Sequence, residues 1–382
     1  MQYKYISSDN HLDLLWTPKH VWQDRVASKY KDAAPKVVET SEGTFWEWEG
    51  QVRLPSADGR DNAKHIESFL NSGIAAREGS LPPSDAGLIL EHMDSAKIYS
   101  LVIFGPTRKW AISDPELLEE CYRAYNDYIL ELNSANTDRI VGLPILPTRL
   151  PEVCAGEIYR VAKMGAKGVE FSVFDVGAPI YDPIWEPVWT AAEEVGIPIC
   201  CHIGDKSGEP YPPKTRGNAK AHFSLTPFVI NRAMAQIIFS GVLERHPRLN
   251  VSFGECRAGW IPFFVYWMDR QEKERPSDPE VKLSLLPSEY FKRQITVTFE
   301  DDMVAARMIK EPWSYLADSA MWAVDYPHCL ASSNREAANE LVKWPDLDPL
   351  MDEMFRDVDD KVRHEIVYNR AAKLFNIKGP SA

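Results

Sequence analysis

Short apolar runs, each closed by polar, glycine or proline residues, recur through the chain: YKYISSD at the start, then IYSLVIFGPT, IVGLPILPT, GAKGVEFSVF, GIPICCHIGD, LNVSFGE, QITVTF and AMWAVDYPH. Between them lie longer stretches such as PELLEECYRAYNDYILELN and TPFVINRAMAQIIFSGVLERHP, whose apolar residues return at the spacing of a buried helical stripe. Strands alternating with helices predict a parallel sheet joined by right-handed crossovers. Eight such units predict an α/β fold closed into a (β/α)8 TIM barrel rather than an open sheet.

One connection breaks the rhythm. About ninety residues separate the first apolar run from the second, far more than a usual strand-to-helix loop. It holds TFWEWEGQVRLP, which alternates aromatic and acidic residues like a hairpin arm, and then NSGIAAREGSLPPSDAG. Loops that follow barrel strands sit on the catalytic face. Residues 12–90 are therefore expected to form a lid or wall over the site, or else a dimerisation arm that exposes aromatics such as Trp46 and Trp48. Nothing marks a second domain, so residues 1–382 are read as one barrel with a long insertion after its first strand.

Composition narrows the partners. With 43 Lys+Arg against 56 Asp+Glu, the formal net charge is −13, and no Lys/Arg cluster offers a face to nucleic acid or anionic lipid. The opening MQYKYISSDN carries no apolar stretch, and no window approaches the roughly 18 apolar residues of a membrane span. The expectation is a soluble, cytoplasmic protein acting on a small molecule. The 12 tryptophans supply more apolar surface than a monomer readily covers, which predicts a homodimer or higher oligomer, or a heteromer with a paralogue. The 6 cysteines form no CxxC pair, and the adjacent Cys200 and Cys201 fall in an apolar run, so they are read as core packing.

The candidate chemistry lies at the strand ends. Asp9 and His11 close the first strand, His202 the fifth, Glu255 the sixth and Asp325 the eighth. In a parallel barrel these ends share one face, so residues distant in sequence converge. Imidazole with carboxylate suits a divalent metal, with zinc placed first and manganese or iron as alternatives. Asp9 and His11, two residues apart on a strand, point the same way and can grip one ion.

The chain resembles the amidohydrolase-related family, in the branch containing aminocarboxymuconate semialdehyde and resorcylate decarboxylases. ISSDNHLD is similar to the family's opening D-x-H motif, and YDPIWEPVWTAAEEVGIPICCHIG to the segment that delivers its fifth-strand histidine. IFSGVLERHPRLNVSFGECRAGWIPFFVYWMDR, LPSEYFKRQITVTFEDD and WAVDYPH resemble its later stretches. The resemblance implies Asp9, His11, His202 and Asp325 as metal ligands. It also places Glu255 where the decarboxylases of the family carry a catalytic histidine, so Glu255 is expected to bind metal or act as a base. Glu170, on the fourth strand, matches the position that bridges two ions in two-metal relatives. A second ion would use Glu170, Glu255 and His328; the alternative for Glu170 is an ion pair at the barrel rim. His328 is a further candidate ligand, acid or substrate contact, and Arg257 could fork onto a substrate carboxylate. Glu300 and Asp301 are expected either to face the site or to pair with Arg293 or Arg307. His222 could reach the mouth, whereas His92 and His246 read as structural.

Three reactions fit this constellation. The first is hydrolysis through a metal-activated water, with Asp325 moving the proton. The second is non-oxidative decarboxylation, and the third is oxygen activation by a dinuclear iron site. A catalytically silent partner subunit is the remaining reading.

Overall fold

The computed structural model describes residues 3–71, 74–204, 215–275, 279–330 and 344–380, so residues 72 and 73 of the insertion lie outside it. In chain order its strands are β1 (Tyr5–His11), β2 (Lys36–Thr40), β3 (Gly43–Trp48), β4 (Gln51–Pro55), β5 (Ile98–Phe104), β6 (Ile140–Gly142), β7 (Val169–Glu170), β8 (Ile199–His202), β9 (Val251–Gly254), β10 (Ile295–Phe299) and β11 (Ala320–Trp322). The predicted apolar runs become β1 and β5 to β11. These pair in parallel in two arcs, β1-β5-β6 and β7-β8-β9-β10-β11.

Two isolated parallel bridges join the arcs into a ring. Ile145 pairs with Glu170 between β6 and β7, and Asn10 pairs with Tyr326 between β1 and the end of β11. At the second seam the Asp325 amide donates to the Asp9 carbonyl at 3.2 Å, and the His11 amide to the Tyr326 carbonyl at 2.7 Å. The protein is therefore a (β/α)8 barrel. Every residue of β1 and β5 is buried, as strands covered on both faces require.

The long helix Pro115–Ser134 starts where the sequence signals it. The Asp114 carboxylate accepts from the Glu116 and Leu117 amides, and Pro115 occupies the first turn, where its missing amide costs nothing. Its inner face packs Leu117, Cys121, Tyr125 and Ile129.

The hairpin arm is real, and β2 enlarges it to an antiparallel three-stranded sheet. Glu49 (φ 51°) and Gly50 (φ 70°) turn the chain between β3 and β4 with two left-handed residues, the geometry that suits strand twist. The arm's aromatics differ from the expected exposed surface. Trp46 is 0% and Trp48 3% exposed. Trp46 Nε1 donates to the Leu14 carbonyl, and the Trp46 and Trp110 rings each lie 5.0 Å from Trp22. These tryptophans fasten the insertion to the barrel, because burying indole area against it yields more than leaving it wet. Among the described residues, no helix is long and apolar enough to cross a membrane.

Candidate metal centre

The barrel closure brings five of the expected ligands together, around two groups that share His11: Asp9, His11 and His202, and His11, Asp325 and His328. His11 Nε2 lies 3.6 Å from Asp9 Oδ1, 3.6 Å from Asp325 Oδ1 and 3.8 Å from Glu255 Oε2. His202 Nε2 lies 3.4 Å from Asp9 Oδ1 and 3.3 Å from Glu255 Oε2. Asp9 Oδ1, His11 Nε2 and His202 Nε2 are buried without a hydrogen-bond partner, and Asp325 Oδ1, also buried, has His328 Nδ1 at 2.9 Å. Buried polar atoms are nearly always satisfied, so three such atoms within reach of one another, with Asp325 against His11, fit a shared cation.

The surrounding contacts aim these atoms. His202 Nδ1 faces the Ile203 carbonyl at 2.6 Å and His11 Nδ1 the Gly105 carbonyl at 3.4 Å. A carbonyl can only accept, so each Nδ1 carries the proton and each Nε2 turns its lone pair inward. Asp9 Oδ2 accepts from Thr298 Oγ1 at 2.7 Å and from the Glu255 amide at 2.6 Å, leaving Oδ1 for the centre. Gly254 makes the close approach feasible, since a Cβ there would stand 2.7 Å from both Asp9 Oδ2 and His202 Cδ2. Glu255 (φ 49°) and Asp325 (φ 56°) adopt left-handed backbone that non-glycine residues rarely accept, a cost of about 1–3 kcal/mol each that directs their carboxylates inward.

The electrostatics agree. Burial, reinforced by the neighbouring His202 and His328, holds the His11 pKa well below its ordinary value. Burial opposes charge on His202 too, but Asp9 and Glu255 outweigh it and raise the pKa well above the ordinary value. A pull that retains a proton there would equally retain a metal ion. Burial, with Glu255 adding to it against the opposing His328, pushes Asp325 up to about 6.

His328 joins the centre from one side. Its Nδ1 is 2.9 Å from Asp325 Oδ1, its Nε2 is 2.7 Å from Asp13 Oδ2, and its ring stacks on His11 at 4.6 Å. Against the cost of burial, Asp325 and Asp13 raise its pKa well above the ordinary value. Asp13, not foreseen from sequence, is fixed in turn by the Thr107 amide and hydroxyl, both at 2.9 Å. The alternation Asp9, His11, Asp13, which carries on past the end of β1, is the signal that could have exposed it.

Other candidates are placed elsewhere. Glu170 is 2% exposed, but its Oε1 lies 2.5 Å from Lys109 Nζ and its Oε2 accepts from the Gly105 amide at 2.8 Å. It is not gathered with the other five residues. Arg257 Nη1 lies 2.6 Å from both Glu300 Oε2 and Asp301 Oδ1, so those acids pair with Arg257 and not with the expected Arg293 or Arg307. Burial keeps Glu300 well above the usual carboxylate range, although Arg257 pulls it down. His92 bridges Tyr326 Oη and the Ala75 carbonyl, and His246 lies beside Glu186 and Glu193, both structural. His222 lines the mouth of a cavity of about 680 Å³ that opens onto His202, Glu255 and His328. Of the described residues lining that cavity, Asp13 alone comes from 12–90.

A parallel barrel with imidazole and carboxylate converging at its strand ends defines a class of metal-dependent enzymes. The chain belongs to that class's amidohydrolase family, which it matches over residues 84–377. Among curated relatives, it is 26% identical over 172 residues to 2-amino-3-carboxymuconate-6-semialdehyde decarboxylase of Dictyostelium discoideum, a match covering 43% of this chain and 45% of that enzyme. It is 24% identical over 251 residues to gamma-resorcylate decarboxylase of Rhizobium sp. (strain MTP-10005), covering 62% of this chain and 75% of that one. Among solved structures, an amidohydrolase from Mycobacterium avium subsp. paratuberculosis K-10 superposes with a TM-score of 0.72 at 16% identity, over 100% of both chains. A dihydroxybenzoic acid decarboxylase from Polaromonas sp. JS666 with bound manganese superposes with a TM-score of 0.60 at 16% identity, over 98% of this chain and 97% of that one.

Proposed function

We propose that the protein is a mononuclear, divalent-metal-dependent enzyme that removes a carboxyl group from a small organic acid without oxidation. The observation that carries this reading is the set of three buried, unpartnered atoms of Asp9, His11 and His202, with Asp325 and Glu255 beside them. Two imidazoles and three carboxylates accept manganese or iron as well as zinc. The manganese bound by the Polaromonas decarboxylase favours manganese here. The engagement of Glu170 with Lys109 speaks against a second ion, and with it against a dinuclear oxygenase.

When bound, the cation supplies a Lewis acid that anchors and polarises a carboxylate. The chain's own groups supply the proton. Carbon–carbon cleavage releases CO2 and leaves an electron pair on the former α carbon, which must be protonated. His328, held between Asp13 and Asp325, which favour its protonated form, lines the cavity from which that carbon is reached and is the group placed to donate the proton. Decarboxylation by the curated relatives supports the same reaction here. Hydrolysis is the second reading, and the carboxylate of Glu255, a base where the resemblance implies an imidazole, favours it.

The two are separated by incubating manganese-loaded protein with a panel of hydroxybenzoates and unsaturated dicarboxylates in D2O. Decarboxylation releases CO2 and places one deuterium on the former α carbon, whereas loss of both signals alongside cleavage of esters or lactones would establish hydrolysis. We infer in addition that the working form is a homodimer or higher oligomer. Large exposed aromatics on the helix Ile261–Glu274, namely Phe263, Tyr266 and Trp267, support this.

A further inference from the structure

The cavity over the metal centre has two chemically different ends. Its floor is polar, formed by His202, Glu255 and His328, and its outer wall carries Phe223, Leu225 and Val229. The helix Asn218–Leu225 that supplies the first two of these buries none of its residues, whereas the following helix Asn231–Phe239 buries Ala233, Met234, Ile237 and Ile238 in the core. Phe223 is 58%, Leu225 61% and Val229 38% exposed. Apolar side chains that do nothing for the core, yet share one cavity with the metal centre, gain most from an apolar group that enters with the ligand.

Size points the same way. A cavity of about 680 Å³ lies in the range that encloses a drug-sized ligand, well beyond what a single-ring acid fills. We infer that the substrate is a carboxylic acid with an extended apolar body, of fused-ring or longer hydrocarbon character. Its carboxylate faces His202 and Glu255, and its far end lies against Phe223, Leu225 and Val229. This deepens the proposed function and rests on it for the orientation of the carboxylate. The apolar wall itself stands on the cavity alone.

The test uses full-length, manganese-loaded protein and three probes followed by calorimetry: benzoate, 2-naphthoate and the uncharged 2-naphthylmethanol. The second ring should tighten binding of naphthoate over benzoate at least ~10-fold, the gain expected for burying one more ring against apolar side chains. In a Phe223→Ala/Leu225→Ala variant that ratio should collapse toward one, with manganese content measured to show that the centre remains intact. Equal affinity for benzoate and naphthoate, or a ratio that survives the double substitution, overturns the inference. A double variant that alters sedimentation but not the ratio also overturns it, by assigning the wall to a second copy of the chain. If naphthoate and naphthylmethanol bind alike, with and without manganese, and both lose affinity in the variant, the apolar wall stands and the metal-centred carboxylate reading falls.

Discussion

Glu255 faces the centre through its Oε2, 3.3 Å from His202 Nε2, while the neighbouring Arg257 spends its charge on Glu300 and Asp301. Glu255→Gln removes the charge but keeps the shape. It should leave the melting temperature near the wild-type value and lower turnover about 10²–10⁴-fold, read by steady-state kinetics at matched metal content. Asp325 gives a prediction in pH. A carboxyl raised by folding from 3.8 to about 6 stabilises the metal-free protein when protonated, a contribution fully present below 3.8 and lost as pH rises through about 6. Metal binding needs the carboxylate, so manganese affinity should instead weaken as pH falls below about 6, measurable by titration between pH 5 and pH 8. Residue identity was legible for Asp9, His11, His202, Glu255 and Asp325 because each ends an apolar run. The part played by Asp13 was not, since it acts through His328, 315 positions away.

Each barrel strand was visible as an apolar run, but strand length was not. β6 keeps only Ile140–Gly142 and β7 only Val169–Glu170, and the two meet through the single isolated bridge of Ile145 with Glu170. The insertion was legible as a hairpin and misread in its exposure, since alternation of aromatic and acidic residues defines two faces without saying which is covered. Trp46→Ala should therefore behave as a core truncation, lowering stability by about 3–5 kcal/mol in chemical denaturation, and a neutral outcome would return the arm to the surface. The loop after β5 offers a second measurement at this scale. Lys109→Met strips the buried Glu170 carboxylate of its ammonium and should cost about 3–5 kcal/mol, whereas Lys109→Met with Glu170→Gln should recover much of the loss.

For the molecule as a whole, surface is the quantity that sequence reports least well. The tryptophan count suggested an interface, yet Trp22, Trp46, Trp110, Trp185, Trp189 and Trp322 are fully buried, while three exposed aromatics, Phe263, Tyr266 and Trp267, share the helix Ile261–Glu274. Wild-type protein should sediment faster than a monomer at micromolar concentration. Phe263→Asp with Trp267→Asp should return it to monomer with the far-ultraviolet circular dichroism unchanged. The seam between β1 and β11 carries a different consequence, one of timing. Asp9 and His11 lie far upstream of the groups that complete their candidate site, which come with His202 and finally with Asp325, whose amide also helps to fasten the last strand to the first. A nascent chain therefore carries Asp9 and His11 with nothing opposite them until His202 is made, and without Asp325 until the last strand can close the ring. On the proposed function, ion capture becomes a late event of synthesis, one that a chain released before Ala320 should fail to show in a metal-binding titration.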